Sequence, residues 1–168
     1  MRDTSNIQEL LELGLDYMGF IFFEKSARNA EGIVSKEILQ AFPSTVKKVG
    51  VFVNEGIDKL ADTVLQYELD SVQLHGDESV DYISELKTMD ISVIKAFAIS
   101  DEFDFKLLSK YEPFVDRFLF DTKGKERGGN GQKFDWELLR KYTQETMYFL
   151  SGGISVEDAI ALNRLKLS

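Results

Sequence analysis

Six short apolar runs, each followed by a stretch with helical spacing, set the frame of this chain. The runs occupy residues 17–23, 46–53, 71–74, 91–99, 117–121 and 147–150. Near-continuous apolar content of this length is the pattern of strands buried on both faces. Between them lie helix signals. Ile7, Leu10, Leu11 and Leu13 make a stripe closed by Gly14, with Ser5 and Gln8 as its capping box. Further helices are expected from Ser35 to Phe42, stopped by Pro43, over 57–67, and through Ile83 and Leu86. Ser100-Asp101 caps another that contains Phe105, Leu107 and Leu108. Phe134-Asp135-Trp136 opens the next, and Ser155 caps the last, over 156–165. A leading helix and then six strand–helix units commit the chain to an α/β fold with a parallel sheet. No linker or low-complexity segment interrupts the alternation, so one domain is expected across 1–168. Periodicity does not separate an open doubly wound sheet from a closed barrel. A length of 168 residues favours the open sheet, because (β/α)8 barrels usually need at least ~200.

Charge and residue usage narrow the chemistry. A net charge of −9 argues against a broad nucleic-acid or anionic-membrane surface. The sequence has no cysteine and one histidine, which removes a disulfide, a thiolate nucleophile and a histidine metal cluster. The N-terminus has no apolar signal region and the longest apolar run is too short to cross a bilayer, so a cytoplasmic location is the default.

In parallel α/β folds the ligand sits at the carboxyl ends of the strands. The residues expected there are Arg28, Asn54, His75, Asp121 and the run Ser151-Gly152-Gly153. Asp121 ends the fifth run and precedes a loop with four glycines and three cations. It is the candidate general acid, if partial burial raises its pKa far enough to donate near neutrality. The alternative is a carboxylate that caps a turn. Ser151-Gly152-Gly153 before a helix suits either a phosphate cradle or a tight βα turn. Arg28 suits a fork onto a carboxylate or phosphate, or else a solvated surface position. His75 is either a hydrogen-bond donor to substrate or a structural residue. Lys95, inside an apolar run, either points into a polar barrel mouth or snorkels outward.

A set of stretches resembles the phosphoribosylanthranilate isomerase family. It begins with Met1-Arg2 and Asn6-Ile7, then Met18-Gly19-Phe20-Ile21-Phe22-Phe23-Glu24-Lys25-Ser26-Ala27-Arg28. It continues with Val49-Gly50-Val51-Phe52-Val53-Asn54 and Val72-Gln73-Leu74-His75-Gly76. Then come Phe120-Asp121-Thr122, Gly128-Gly129-Asn130-Gly131, Phe134-Asp135-Trp136 and Leu150-Ser151-Gly152-Gly153. They follow family order along nearly the whole chain.

The resemblance implies a (β/α)8 barrel in place of the open sheet. It implies an Amadori rearrangement of N-(5-phosphoribosyl)anthranilate in tryptophan biosynthesis, with no cofactor. Asp121 would protonate the ring oxygen and Arg28 would hold the anthranilate carboxylate. Gly152 and Gly153 would form half of the phosphate site, and the loop with Gly128, Gly129 and Gly131 would cover the substrate. The expected substrate-binding set is therefore Arg28, His75, Gly128, Gly129, Gly131, Ser151, Gly152 and Gly153.

Two departures accompany the match. The family's general base is a first-strand cysteine in a Lys-x-Cys-Gly run, and its other phosphate half lies on an eighth strand; this sequence contains neither. Six strands of the eight are expected here, so the chain is read as truncated at both ends. Self-association through exposed edge strands is expected, and the alternative function is a non-catalytic remnant or a binding protein for an anthranilate or a phosphosugar.

Overall fold

The computed structural model describes residues 3–122 and 133–165. Gly128, Gly129 and Gly131, as well as Met1 and Arg2, lie outside the described residues. The chain divides into two compact units, residues 1–94 and 95–168.

The first unit begins with α1 (Thr4–Leu11). Its cap is Asp3 rather than Ser5: the Asp3 carboxylate accepts the Asn6 N–H at 2.9 Å and the Ser5 hydroxyl at 2.7 Å. A carboxylate there also complements the positive helix end. The strands β1 (Tyr17–Ile21), β2 (Lys47–Phe52) and β3 (Ser71–Leu74) follow, separated by α2 (Lys36–Gln40) and α3 (Ile57–Tyr67). The unit also holds α4 (Val80–Thr88), capped by Ser79. Both strand pairs are parallel, in a register that sets Gly19 beside Val49 and Val51 beside Gln73.

The period of two decides what each strand buries. Met18, Phe20 and Phe22 are buried, with Phe52, Val72 and Leu74 on the neighbouring strands. Phe22 stacks on Phe52 at 5.5 Å and meets Tyr67 of α3 at 4.9 Å. Leu60, Ile83 and Leu86 complete this helix-facing layer. Burying each such side chain contributes about 1.5–3 kcal/mol. Tyr17 and Gly19 on the opposite face are exposed, so β1 is buried on one face and not on both. Its apolar run looked two-sided because Gly19 and Ile21 add no polar residue to the exposed face.

The strand β4 (Val93–Ile99) spans the boundary between the units. The second unit continues with β5 (Arg117–Thr122), β6 (Tyr148–Leu150) and α5 (Ala159–Leu165). Its other helical pieces are 3₁₀ turns at Phe105–Lys110, Glu112–Phe114, Trp136–Lys141 and Val156–Asp158. The first of these is capped by Asp104, three residues after the expected Ser100-Asp101. Rings dominate the core: Phe105, Phe118 and Phe120 are buried, and Tyr142 meets Phe120 edge-on at 5.4 Å.

The hydrogen-bonded strand order is β1-β2-β3-β4-β5-β6. A doubly wound sheet would reverse order at a switch point. An unbroken progression is the order of a (β/α) barrel, which overturns the open sheet that chain length had favoured.

Candidate active site

The tip of β1 positions Arg28. The Arg28 N–H donates to the Ser26 hydroxyl at 3.1 Å, and the Asn29 N–H closes a turn onto the Ser26 carbonyl at 3.0 Å. Ala30 then returns to β1, donating to the Ile21 carbonyl at 2.7 Å. The backbone around Arg28 is thus fixed while the residue itself is exposed.

His75 follows β3 directly. Its N–H donates to the Phe52 carbonyl at 2.8 Å, extending the β2–β3 ladder by one step. The ring Nδ1 lies 3.0 Å from the Gln73 side-chain Nε2. Asn54 and Glu78 link the tips of β2 and β3 reciprocally. The Glu78 carboxylate accepts the Asn54 N–H at 2.8 Å, and the Asn54 side-chain oxygen accepts the Asp77 N–H at 2.7 Å. Sequence reasoning passed over Glu78; an acidic residue three places after a strand-tip histidine was the available signal.

In the second unit, Asp121 is 6% exposed, and its Oδ1 accepts the Thr122 N–H at 2.8 Å. The Thr122 hydroxyl accepts the Phe134 N–H at 3.2 Å. Thr122 and Phe134 are therefore tied together beside Asp121. Ser151 donates its N–H to the Phe120 carbonyl at 2.8 Å. That N–H belongs to the sheet. Gly152 and Gly153 turn at φ +94° and +66°, the left-handed region that favours glycine. A Cβ on Gly152 would stand 2.7 Å from Asp121 Oδ1 and 2.4 Å from the Thr122 hydroxyl oxygen. The structure thus brings Asp121, Thr122 and Gly152 into one tight group.

Past the glycines, Ser155 donates both its N–H and its hydroxyl to the Asp158 carboxylate, at 2.7 and 2.9 Å. Lys133 forms an ion pair with Asp158 at 2.7 Å. The Lys133 bond first, and the Ser155 N–H second, hold the Asp158 carboxyl below its ordinary range. Lys95 is 2% exposed, donates to the Ala96 carbonyl at 3.2 Å and lies 5.2 Å from the Phe97 ring centre. It does not snorkel to solvent.

A cavity of about 420 Å³ opens between the Trp136–Lys141 turn and α5. None of Asp121, Ser151, Gly152 and Gly153 lines it, so it is separate from the strand-tip group. Among the described residues no cluster of His, Asp and Glu is arranged to hold a metal ion. None of the described helices is long and apolar enough to cross a membrane.

The chain is similar to known proteins. The family model for N-(5'phosphoribosyl)anthranilate (PRA) isomerase matches residues 1–165. The N-(5'-phosphoribosyl)anthranilate isomerase of Parabacteroides distasonis is 42% identical over 169 residues, covering 99% of this chain and 76% of that protein. That of Staphylococcus aureus strain Mu3 is 37% identical over 159 residues, covering 94% and 75%. Among solved structures, the phosphoribosyl anthranilate isomerase of Thermotoga maritima superposes with a TM-score of 0.81 at 33% identity, over 98% of this chain and 80% of its own. One from Thermus thermophilus reaches 0.84 at 22% identity, over 99% and 80%, a likeness of fold. A further structure of this kind, at 0.79 and 31% identity over 98% and 78%, holds reduced 1-(o-carboxyphenylamino)-1-deoxyribulose 5-phosphate.

Proposed function

This chain belongs to the N-(5'-phosphoribosyl)anthranilate isomerase family of tryptophan biosynthesis, and from that premise we propose how its strand tips divide the isomerisation. Asp121 is the general acid. It gives a proton to the furanose ring oxygen, the C1–O bond breaks, and the ring opens to an iminium between C1 and the anthranilate nitrogen. Removal of the proton on C2 then yields the enol, which becomes the ketone of the deoxyribulose product as C1 takes up a proton and the C2 hydroxyl loses one. Carbon 1 is reduced and carbon 2 oxidised within one molecule, so no external redox partner takes part.

Arg28 pairs with the anthranilate carboxylate through its forked guanidinium. Gly152 and Gly153 offer backbone N–H groups to the phosphate, where a left-handed turn lets the chain approach an anion closely. The Ser151 hydroxyl adds to that contact. His75 donates a hydrogen bond to the substrate. Gly128, Gly129 and Gly131 are assigned to cover it, by the resemblance alone. The 168 residues contain no cysteine to take the C2 proton.

The packing of Gly152 against a buried Asp121 carries this reading. It joins an acid to a glycine turn at the ends of adjacent parallel strands. The test is a fluorescence assay of phosphoribosylanthranilate consumption by the purified chain and by Asp121→Asn. Turnover that disappears in the variant supports the assignment. Binding of the reduced product analogue without turnover in either protein would favour the reading as a binding protein.

Self-association belongs to the same proposal. Met147, Val156 and Ile160 of the second unit are 63%, 89% and 66% exposed, an apolar set that pairing of chains would cover. Sedimentation at micromolar concentration is expected to show a species larger than the 19.1 kDa monomer; a stable monomer would refute it.

A further inference from the structure

We propose that Gln73 is a positioning residue which holds His75 in its Nε2–H tautomer, and Glu78 one which fixes the backbone beside it, so that the ring donates a hydrogen bond to an oxygen of the substrate. The inference rests on the reading above that His75 meets substrate. It goes further in saying which ring nitrogen carries the proton and what sets it.

Gln73 and His75 stand two residues apart on the same side of one strand line. The Gln73 amide nitrogen is a donor, and it lies 3.0 Å from Nδ1 of the ring. A nitrogen that accepts there directs its lone pair at the amide N–H and bears no proton, so in the neutral imidazole the proton resides on Nε2.

The backbone on either side of the ring is fixed as firmly. The His75 N–H is held by the Phe52 carbonyl at 2.8 Å. The next N–H, that of Gly76, donates to both oxygens of Glu78, at 3.1 and 3.0 Å. Glu78 is 5% exposed and also accepts the Asn54 N–H. Asn54 adopts a left-handed backbone at φ +50° and returns a bond to the Asp77 N–H. No side chain fits at Gly76, where a Cβ would lie 2.2 Å from the Asn54 side-chain oxygen and 2.5 Å from Glu78.

Closing the turn into α4 does not require this. Ser79 already caps that helix by accepting the Tyr82 N–H at 3.2 Å. The buried Glu78 carboxylate acts instead on the residue after His75 and on the facing strand tip. Holding a ring at one nitrogen and its backbone on both sides is what preorganised contact with a ligand demands.

The chain has one histidine, so a long-range ¹H–¹⁵N spectrum reports His75 without assignment. Wild-type protein is expected to show a protonated Nε2 and an unprotonated Nδ1. Gln73→Glu replaces the donor with an acceptor, and the proton is expected to move to Nδ1. Titration with reduced 1-(o-carboxyphenylamino)-1-deoxyribulose 5-phosphate is expected to shift the Nε2–H resonance. Gln73→Leu and Glu78→Ala should each weaken that ligand about 3–10-fold, the worth of one net hydrogen bond.

A protonated Nδ1 or an averaged ring in the wild type would overturn the proposal, as would a spectrum unchanged in Gln73→Glu. An Nε2–H resonance that does not move on saturation would remove the donor role. The wild-type spectrum needs no variant, so a Glu78→Ala protein that fails to fold leaves the proposal exposed to refutation. If the wild type neither turns over phosphoribosylanthranilate nor binds the analogue, the functional reading fails and the donor role with it; the Gln73→Glu spectrum still decides the tautomer separately.

Discussion

Gly152 and Asp121 are packed so closely that a single methyl group on Gly152 would stand 2.7 Å from the Asp121 Oδ1. The same methyl would approach the Thr122 backbone nitrogen at 2.7 Å, and the glycine already sits at φ +94°. Backbone atoms cannot yield as a flexible side-chain end can. Gly152→Ala is therefore expected to cost about 1–3 kcal/mol of stability, the usual range for overpacking, and to displace the carboxyl. Urea unfolding together with turnover checks both effects. An unchanged midpoint with full activity would show that the turn relaxes without disturbing Asp121.

Asp121→Asn keeps the shape of the side chain and removes the acid. Turnover is expected to fall roughly 10²–10⁴-fold, the size of an acid–base contribution. The Thr122 N–H still finds an oxygen acceptor in the amide, so the unfolding midpoint should move little. Near-normal turnover would remove Asp121 from the mechanism.

Arg28 is exposed on a turn whose backbone bonds do not involve its guanidinium. Truncation to alanine should leave the fold intact and weaken the substrate by about 1.5–3 kcal/mol, typical of a hydrogen bond to a charged group. Arg28→Lys should recover part of this, since a lysine supplies the charge without the fork. Calorimetric titration with the reduced product analogue distinguishes these outcomes. Equal affinities in all three proteins would leave Arg28 a surface charge.

Much of this organisation is legible in the chain because the strands are apolar and their ends are not. The third strand falls on residues 71–74 and the third helix on 57–67, as periodicity and flanking polar residues indicate. Strand tips follow from those bounds, which is why Arg28, His75 and Asp121 could be named. Caps were harder to place. Asp3 displaces Ser5 and Asp104 displaces Asp101, because several good capping residues stand in a row and only the tertiary path selects one. Glu78 was passed over for a different reason. Gly76 is a local partner, but Asn54 is brought to it by the pairing of β2 with β3, which a pattern along the chain does not show.

Tyr82 offers a pH test of the same corner of the first unit. Its hydroxyl donates to the Glu55 carbonyl at 2.9 Å. Burial, and then the negative charges of Glu78, Glu55 and Glu85, push its ionisation up to about 12. An unfolded tyrosine ionises near 10. The folded state therefore keeps its proton after the unfolded state has released it. The stabilisation is fully present below pH ~10 and is lost as the pH rises from there toward about 12. Urea midpoints of the wild type should fall through that window, and those of Tyr82→Phe should fall less steeply, since phenylalanine has no proton to lose. An ultraviolet titration should likewise show one late-ionising tyrosine fewer in the variant. Identical alkaline slopes in the two proteins would mean that the charges around Tyr82 are screened, and that this corner is more open to water than its hydrogen bonds indicate.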